Sequence, residues 1–231
     1  MRQVVVLCGG AGTRSRQVTS GSQKCMVEVA GAPFLAHVLD VVDQWKPDEV
    51  LLLVGHHAEQ VVAFATSSER PYRVKYRREA SPAGTVGALR AARDLLTSEF
   101  LLVLGDVLPP QVDSIWERLA QVAQRTSAAA VMTTAAASQS MDQGNIEVDA
   151  DLVVSYDKSS PLPLIDRGTR YLQADALDTF SGDDDETFFG SMVPTRALAH
   201  VFVEGPVLDV GTPGRRAASS VHAGRVTPCL T

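Results

Sequence analysis

Residues 3–14 read QVVVLCGGAGTR, and their reading decides the architecture of the chain. A short apolar, β-branched run empties into Gly9, Gly10 and Gly12, followed by Thr13 and Arg14. Glycines let successive backbone N–H groups converge on an anion with no Cβ in the way. A dinucleotide-binding loop needs G-x-G-x-x-G with a carboxylate about 20 residues further on. Gly10 and Gly12 supply its first pair, but Ser15 stands at the third glycine, and the next apolar run, EVLLLVGHH, ends without an acid. A Walker loop needs G-x-x-x-x-G-K-[ST], and no lysine follows these glycines at that spacing. What remains is a glycine turn with Arg14 beside it and Lys24 ten residues beyond. An arginine grips a terminal phosphate through two parallel N–H bonds, whereas a lysine offers a mobile point charge. The structural alternative is a tight strand-to-helix turn with surface cations.

Outward from that stretch, strands and helices alternate. EVLLLVG (49–55), YRVKYRR (72–78) and FLLVLGD (100–106) read as strands, and 33–45, 58–66 and 84–96 as helices, with Pro33 in the first turn of the first. Strand–helix units with short connections predict a mostly parallel sheet between helices, with ligands at the carboxyl ends of its strands. Both the 8–13 loop and Asp106 fall at such ends. Further on, 112–125 reads as a helix, 127–137 as a core strand, 145–158 as a hairpin turning at Asp149–Asp151, and 206–221 as strand, turn and helix. Residues 162–180 and 182–190 read as loop-rich, with the acidic run Asp183–Glu186 a solvated loop. His56-His57 reads as a polar turn, and Trp45 and Trp116 as packing residues.

Composition narrows the function classes. The 231 residues carry 21 Lys+Arg against 27 Asp+Glu, a formal charge of -6, which argues against a nucleic-acid partner. No apolar run approaches the ~20 residues of a membrane span, and the amino terminus lacks the pattern of a signal peptide. Cys8, Cys25 and Cys229 are odd in number and show no CxxC spacing, so neither a disulfide framework nor a zinc site is expected. The expectation is a cytoplasmic chain with one domain over 1–231, in two halves at 1–110 and 111–231.

GGAGTR followed by QKCMVEVAGAPFL resembles the signature of the sugar-1-phosphate nucleotidyltransferases, also called nucleotide-sugar pyrophosphorylases. The glycines, Thr13, Arg14, Lys24, Gly31, Pro33 and Phe34 match that pattern, while Ser15, Gln17, Gln23 and Cys25 depart from it. The Lys-Cys-Met version in a chain of this size is similar to the D-glycero-D-manno-heptose-1-phosphate guanylyltransferase branch. The resemblance implies an α/β fold: a Rossmann-like three-layer α/β/α sandwich around a mostly parallel mixed sheet, of the nucleotide-diphospho-sugar transferase type. It implies a nucleoside triphosphate, GTP favoured, and a heptose or hexose 1-phosphate as substrates, Mg²⁺ as cofactor, and a homodimer.

The same resemblance assigns roles. Arg14 and Lys24 are the catalytic cations. Leu7, Gly9, Gly10, Gly12 and Thr13, with Glu79, Gly84, Thr85 and Gly87 of EASPAGTVGALRAA, are the nucleotide-binding set. Asp106 of FLLVLGD and Asp209 of VLDVGTP are the metal carboxylates. Asn145, Asp157, Lys158 and Asp175 surround the sugar; Asp175 lies where the family often has an Asn/Asp-x-Gly stretch, here written Ala174-Asp175-Ala176. Two rivals stand beside this reading. One is a catalytically inactive homologue that binds a nucleotide sugar. The other is a glycosyltransferase, for which Asp183-Asp184-Asp185 spells a D-x-D motif.

Overall fold

The computed structural model describes residues 1–9, 23–55, 57–67, 69–79, 81 and 83–211. Its chain order begins with β1 (Gln3–Leu7), the two-residue strands β2 (Glu28–Val29) and β3 (Ala32–Pro33), α1 (Phe34–Gln44), β4 (Glu49–Val54), α2 (Ala58–Thr66) and β5 (Arg73–Arg78). It continues through α3 (Gly84–Ala91), β6 (Glu99–Leu104), α4 (Ile115–Thr126), β7 (Ala130–Ala136), β8 (Ile146–Asp149) and β9 (Leu152–Tyr156). The last elements are β10 (Leu164–Gln173), α5 (Ala176–Thr179), α6 (Asp185–Met192) and β11 (Leu198–Phe202).

Among the described residues nine strands form one sheet in the order β5-β4-β1-β6-β10-β7-β11-β9-β8. The β5-β4-β1-β6 half is parallel, β10 runs against both β6 and β7, and β11 is parallel to β7. The β8–β9 ribbon touches β11 through Ala199↔Leu152 and β10 through Leu164↔Ile146, so this half of the sheet curls back on itself. Alternate residues feed two cores. Val4, Val6, Leu52 and Val103 pack with α1, α2 and α4; Val5, Leu51, Leu53 and Leu102 pack with α3, α5 and α6. A strand covered on both faces needs a continuous apolar run, which is what QVVVL and EVLLLV are. Each fully buried Leu or Val contributes roughly 1.5–3 kcal/mol. The helices present matching stripes, such as Ile115, Trp116, Leu119, Val122 and Ala123 of α4.

The sequence expectations need three corrections. The stretch 162–180, read as loop, contains the ten-residue strand β10 in the middle of the sheet. Its alternation is hidden by Asp166, Arg167, Gly168 and Arg170, whose charges are consumed inside the fold. Residues 182–190, also read as loop, start the helix α6, because Asp184 caps it by accepting from the Thr187 N–H at 3.0 Å while Phe188, Phe189 and Met192 are buried. Finally, LAHVF at 198–202 is a strand that the sequence reading passed over, and at 206–211 the chain forms only an isolated bridge, Val107↔Asp209. The remainder of the expected terminal helix lies outside the described residues. Among the described residues no helix is long and apolar enough to cross a membrane.

Candidate active site

The site lies along the carboxyl ends of β1, β4, β5 and β6. Leu7 ends β1, and its carbonyl accepts from the Gly105 N–H at 3.0 Å. The Cys8 N–H donates to the Leu53 carbonyl at 2.8 Å, so the start of the glycine loop is tied to β4. Gly9 stands against Glu79: a Cβ there would lie 2.6 Å from Glu79 Oε1. Glu79 continues β5, its N–H donating to the Val54 carbonyl at 2.8 Å. Burial raises its carboxyl above the usual range, opposed by a hydrogen bond from the Ala83 backbone. Leu7, Gly9 and Glu79 thus meet at one corner. Gly10, Gly12, Thr13 and Arg14 lie outside the described residues.

Lys24 returns to the same corner. Cys25, buried beside it, meets the buried Cys8 thiol, and the hydrogen bond to Cys25 together with burial pushes the Cys8 thiol well up. A thiol in that state packs rather than reacts, and the Cys8–Cys25 contact moors the lysine's segment beside the end of β1. Lys24 Nζ lies 3.4 Å from Asp106 Oδ2, with both side chains about one-third exposed (31% and 35%). Gly105, next to Asp106, lets the end of β6 pass close to β1, since a Cβ on it would sit 2.7 Å from the Leu7 carbonyl oxygen.

Asp209 reaches the site on a second extended segment. The Leu108 N–H donates to the Leu208 carbonyl at 2.8 Å and the Val210 N–H to the Asp106 carbonyl at 3.1 Å, which sets Asp209 directly across from Val107. Asp209 Oδ1 accepts from the Gly211 N–H at 2.8 Å. Among the described residues no three or more His, Cys, Asp or Glu side chains gather as a metal site. Two hard carboxylates on adjoining backbone nevertheless fit Mg²⁺, which keeps waters and takes few protein oxygens beside phosphate.

Gly84, Thr85 and Gly87 stand at the start of α3. Gly84 has φ +76°, and a Cβ there would lie 2.6 Å from the Asp183 carbonyl oxygen, which also accepts from the Val86 N–H at 3.0 Å. Thr85 hydrogen-bonds the buried Asp185. Burial alone would raise the Asp185 carboxyl, but the charge and hydrogen bond of Arg170, with Lys158 and Thr85, together outweigh it and the net direction is down. Arg170 is almost fully buried between Asp185, at 3.0 and 3.1 Å, and Asp166, and it stacks 4.5 Å from the centre of the Phe189 ring. The acidic run is therefore not a solvated loop: Asp183 pairs with Arg90, Asp184 caps α6 and Asp185 pairs with Arg170. No D-x-D metal pair is left in it.

Asn145, Asp157 and Lys158 border the same edge, beyond the amino end of β10. The Asn145 N–H donates to the Leu164 carbonyl at 2.8 Å and its carbonyl accepts from the Asp157 N–H at 2.9 Å. Its side chain is buried, with Oδ1 lacking a partner. Asp157 is turned to its own loop, accepting from Ser159 N–H and Oγ at 2.7 and 2.6 Å. Lys158 Nζ lies 6.0 Å from the centre of the Tyr156 ring.

Asp175 is elsewhere. Gln173 pairs with Glu99 at the amino end of β6, so Asp175 sits at the opposite edge of the sheet, exposed and paired with Arg93 at 2.9 Å. The expected Asp-x-Gly is spelled eight residues earlier, at Asp166-Arg167-Gly168. There β10 bulges between Asp166 and Arg170; Gly168 has φ +73°, and a Cβ on it would lie 3.2 Å from Leu104 and Val107. Sequence reasoning missed Asp166, Arg167, Gly168, Arg170 and Asp185; the letters D-x-G at 166–168 were the available signal.

Comparison with known proteins bears on family and fold. The family profile described as a MobA-like NTP transferase domain matches residues 4–189. The UTP--glucose-1-phosphate uridylyltransferase AglF of Haloferax volcanii is 33% identical over 104 residues, 45% of this chain and 43% of that protein. The chain spans less than half the length of the curated relatives it matches. Among solved structures, HddC from Yersinia pseudotuberculosis, also determined with GMP-PN, superposes with a TM-score of 0.78 at 20% identity, covering 96% of this chain and 100% of that one. A putative glucose-1-phosphate thymidylyltransferase from Bacillus anthracis gives a TM-score of 0.83 at 15% identity, covering 98% and 97%. At these identities the likeness is one of fold: a mixed, mostly parallel sheet between helices.

Proposed function

The chain belongs to the MobA-like NTP transferase domain family, and from that premise we propose that it makes a nucleoside diphosphate sugar from a nucleoside triphosphate and a sugar 1-phosphate. The sugar phosphate oxygen attacks the α-phosphorus in line, a new P–O bond forms, the bond to the β-phosphate breaks, and pyrophosphate leaves. Such chemistry needs positioning and charge neutralisation more than covalent help. The observation that carries the reading is Lys24 Nζ beside Asp106 Oδ2, 3.4 Å away, at the end of β6. There the ammonium holds charge that develops on the reacting phosphate oxygens. Arg14 and the glycine N–H groups take the leaving pyrophosphate. Glu79, Gly84, Thr85 and Gly87 frame the nucleoside, the unpartnered Asn145 Oδ1 accepts from a sugar hydroxyl, and the Lys158 ammonium meets the sugar phosphate. Asp106 and Asp209 would hold Mg²⁺, which when bound neutralises phosphate charge.

GTP is the favoured nucleotide and a heptose or hexose 1-phosphate the favoured acceptor. The support is the Lys-Cys-Met signature and the fold shared with HddC. A pyrophosphate-release assay tests this over four nucleoside triphosphates, a panel of sugar 1-phosphates and Mg²⁺. The expected result is release that requires both substrates and is greatest with GTP. Silence with every pair overturns the enzyme reading, and greatest release with another triphosphate overturns the base assignment alone.

A further inference from the structure

Arg167 is 6% exposed, and among the described residues no carboxylate is its hydrogen-bond or ion-pair partner. Its guanidinium donates instead to four consecutive backbone carbonyls: Nη1 to Val203, Glu204 and Gly205 at 3.2, 3.3 and 2.6 Å, and Nη2 to Pro206 at 3.2 Å. Its Nε is buried without a partner, and burial lowers its pKa. A charge in that position is costly when only peptide dipoles answer it. The arrangement fixes four peptide planes of one segment from a single side chain on the central strand.

That segment has a particular destination. It leaves β11, is tied to β7 by the Val203 N–H on the Thr134 carbonyl at 2.8 Å, and is tied again by the Val207 N–H on the Gln139 carbonyl at 2.9 Å. Residues 208–210 then lie against 106–108, with Asp209 across from Val107. Between β7 and β6 the chain has to cross β10, and Arg167 is the β10 side chain that holds it there. Gly205, with φ +106°, makes the turn at the shortest of the four bonds.

We infer that Arg167 is a positioning residue: through the 203–206 carbonyls it sets Asp209 against Asp106, and so governs how tightly the two-carboxylate site takes a divalent cation. This rests on the nucleotidyl-transfer reading, in which those carboxylates hold Mg²⁺. An arginine can serve four carbonyls from one planar fork; a lysine in its place has one nitrogen for all of them.

The test compares the full-length parent with Arg167→Ala and Arg167→Lys. Hydrogen exchange needs no substrate, so it reads the positioning even if the nucleotidyl-transfer assay is silent. The expected result is exchange at the Leu108 and Val210 amides at least tenfold faster in Arg167→Ala, with β1 and β4 amides unchanged. Activity adds the second readout. The Mg²⁺ concentration for half-maximal rate rises at least tenfold in Arg167→Ala and by less in Arg167→Lys, while KM for the triphosphate at saturating Mg²⁺ stays within twofold. If Arg167→Ala does not fold, Arg167→Lys carries the same comparison, with threefold as its threshold. Uniformly faster exchange with an unchanged Mg²⁺ requirement overturns the inference and leaves Arg167 a stability residue only.

Discussion

Gly105→Ala places one methyl group where β6 passes β1, and its consequences can be worked from the geometry. Gly105 does not use left-handed backbone angles, so alanine meets no conformational obstacle. The obstacle is contact: the new Cβ lies 2.7 Å from the Leu7 carbonyl oxygen, an atom of the main chain with no freedom to swing aside. An ordinary C···O contact is about 3.3 Å, so the strand ends have to part by about 0.6 Å. The Gly105 N–H···O=C Leu7 bond, 3.0 Å in the parent, is then stretched past useful length. Losing a buried backbone bond costs about 1–3 kcal/mol, a fall in Tm of about 2–12 °C for a domain of this size. Asp106 moves with the strand. If a 1 Å misplacement costs on the order of 10²-fold, half that distance costs about tenfold in kcat. The assays are thermal unfolding by circular dichroism and pyrophosphate release under saturating substrates. Gly190→Ala is the control, because a Cβ there meets nothing within 4 Å and it lies inside α6; it should be neutral or stabilise by about 0.4–1 kcal/mol. If Gly105→Ala stays within about 1 °C and twofold of the parent, the close approach of β1 and β6 does not position Asp106 as argued.

The other predictions concern charge. Arg170→Met strands Asp166 and Asp185 in the interior, which should cost about 3–5 kcal/mol, and adding Asp185→Asn should recover part of it in urea unfolding. Asp185 also fixes a pH dependence. Burial works to raise its carboxyl, Arg170 leads the groups that together lower it by more, and so the unfolded chain binds the proton more readily than the fold does. Its contribution is present above the ordinary carboxylate pKa and is lost as pH falls through the lowered one. The stability gap between the parent and Arg170→Met should therefore be widest near neutral pH and narrow in acid; a constant gap would remove Asp185 from the explanation. Asp175→Ala, at the far edge of the sheet, should leave turnover within about twofold and stability within ~0.5 kcal/mol.

The parallel half of the fold was open to reading because its strands are apolar on both faces. Strand ends led to Gly9 and Asp106, and the family resemblance to Glu79 and Gly84, while the rest of the glycine loop lies outside the described residues. β10 was not legible for a physical reason. A central strand is expected to be apolar, but this one carries Arg170 into a buried pair with two acids and Arg167 into a cluster of carbonyls. Only Asp166 is near its arginine in sequence; Asp185 and the 203–206 carbonyls are distant. The same holds for α6, where an acidic run looks solvated until Arg90 and Arg170 are seen to take two of its carboxylates. Assigning Asp175 to the sugar followed from not seeing β10. Once that strand exists, its direction carries Asp175 away from the site and brings Asp166-Arg167-Gly168 into it.

The most direct test of the central claim follows an NTP labelled at its α-phosphorus. With a sugar 1-phosphate and Mg²⁺, label should pass into a nucleoside diphosphate sugar with one pyrophosphate released per transfer. Lys24→Met and Asp106→Asn should each slow that transfer by about 10²–10³-fold while keeping the parent's fold. Label that stays in the NTP with every sugar phosphate, or transfer undiminished in either variant, would contradict the account.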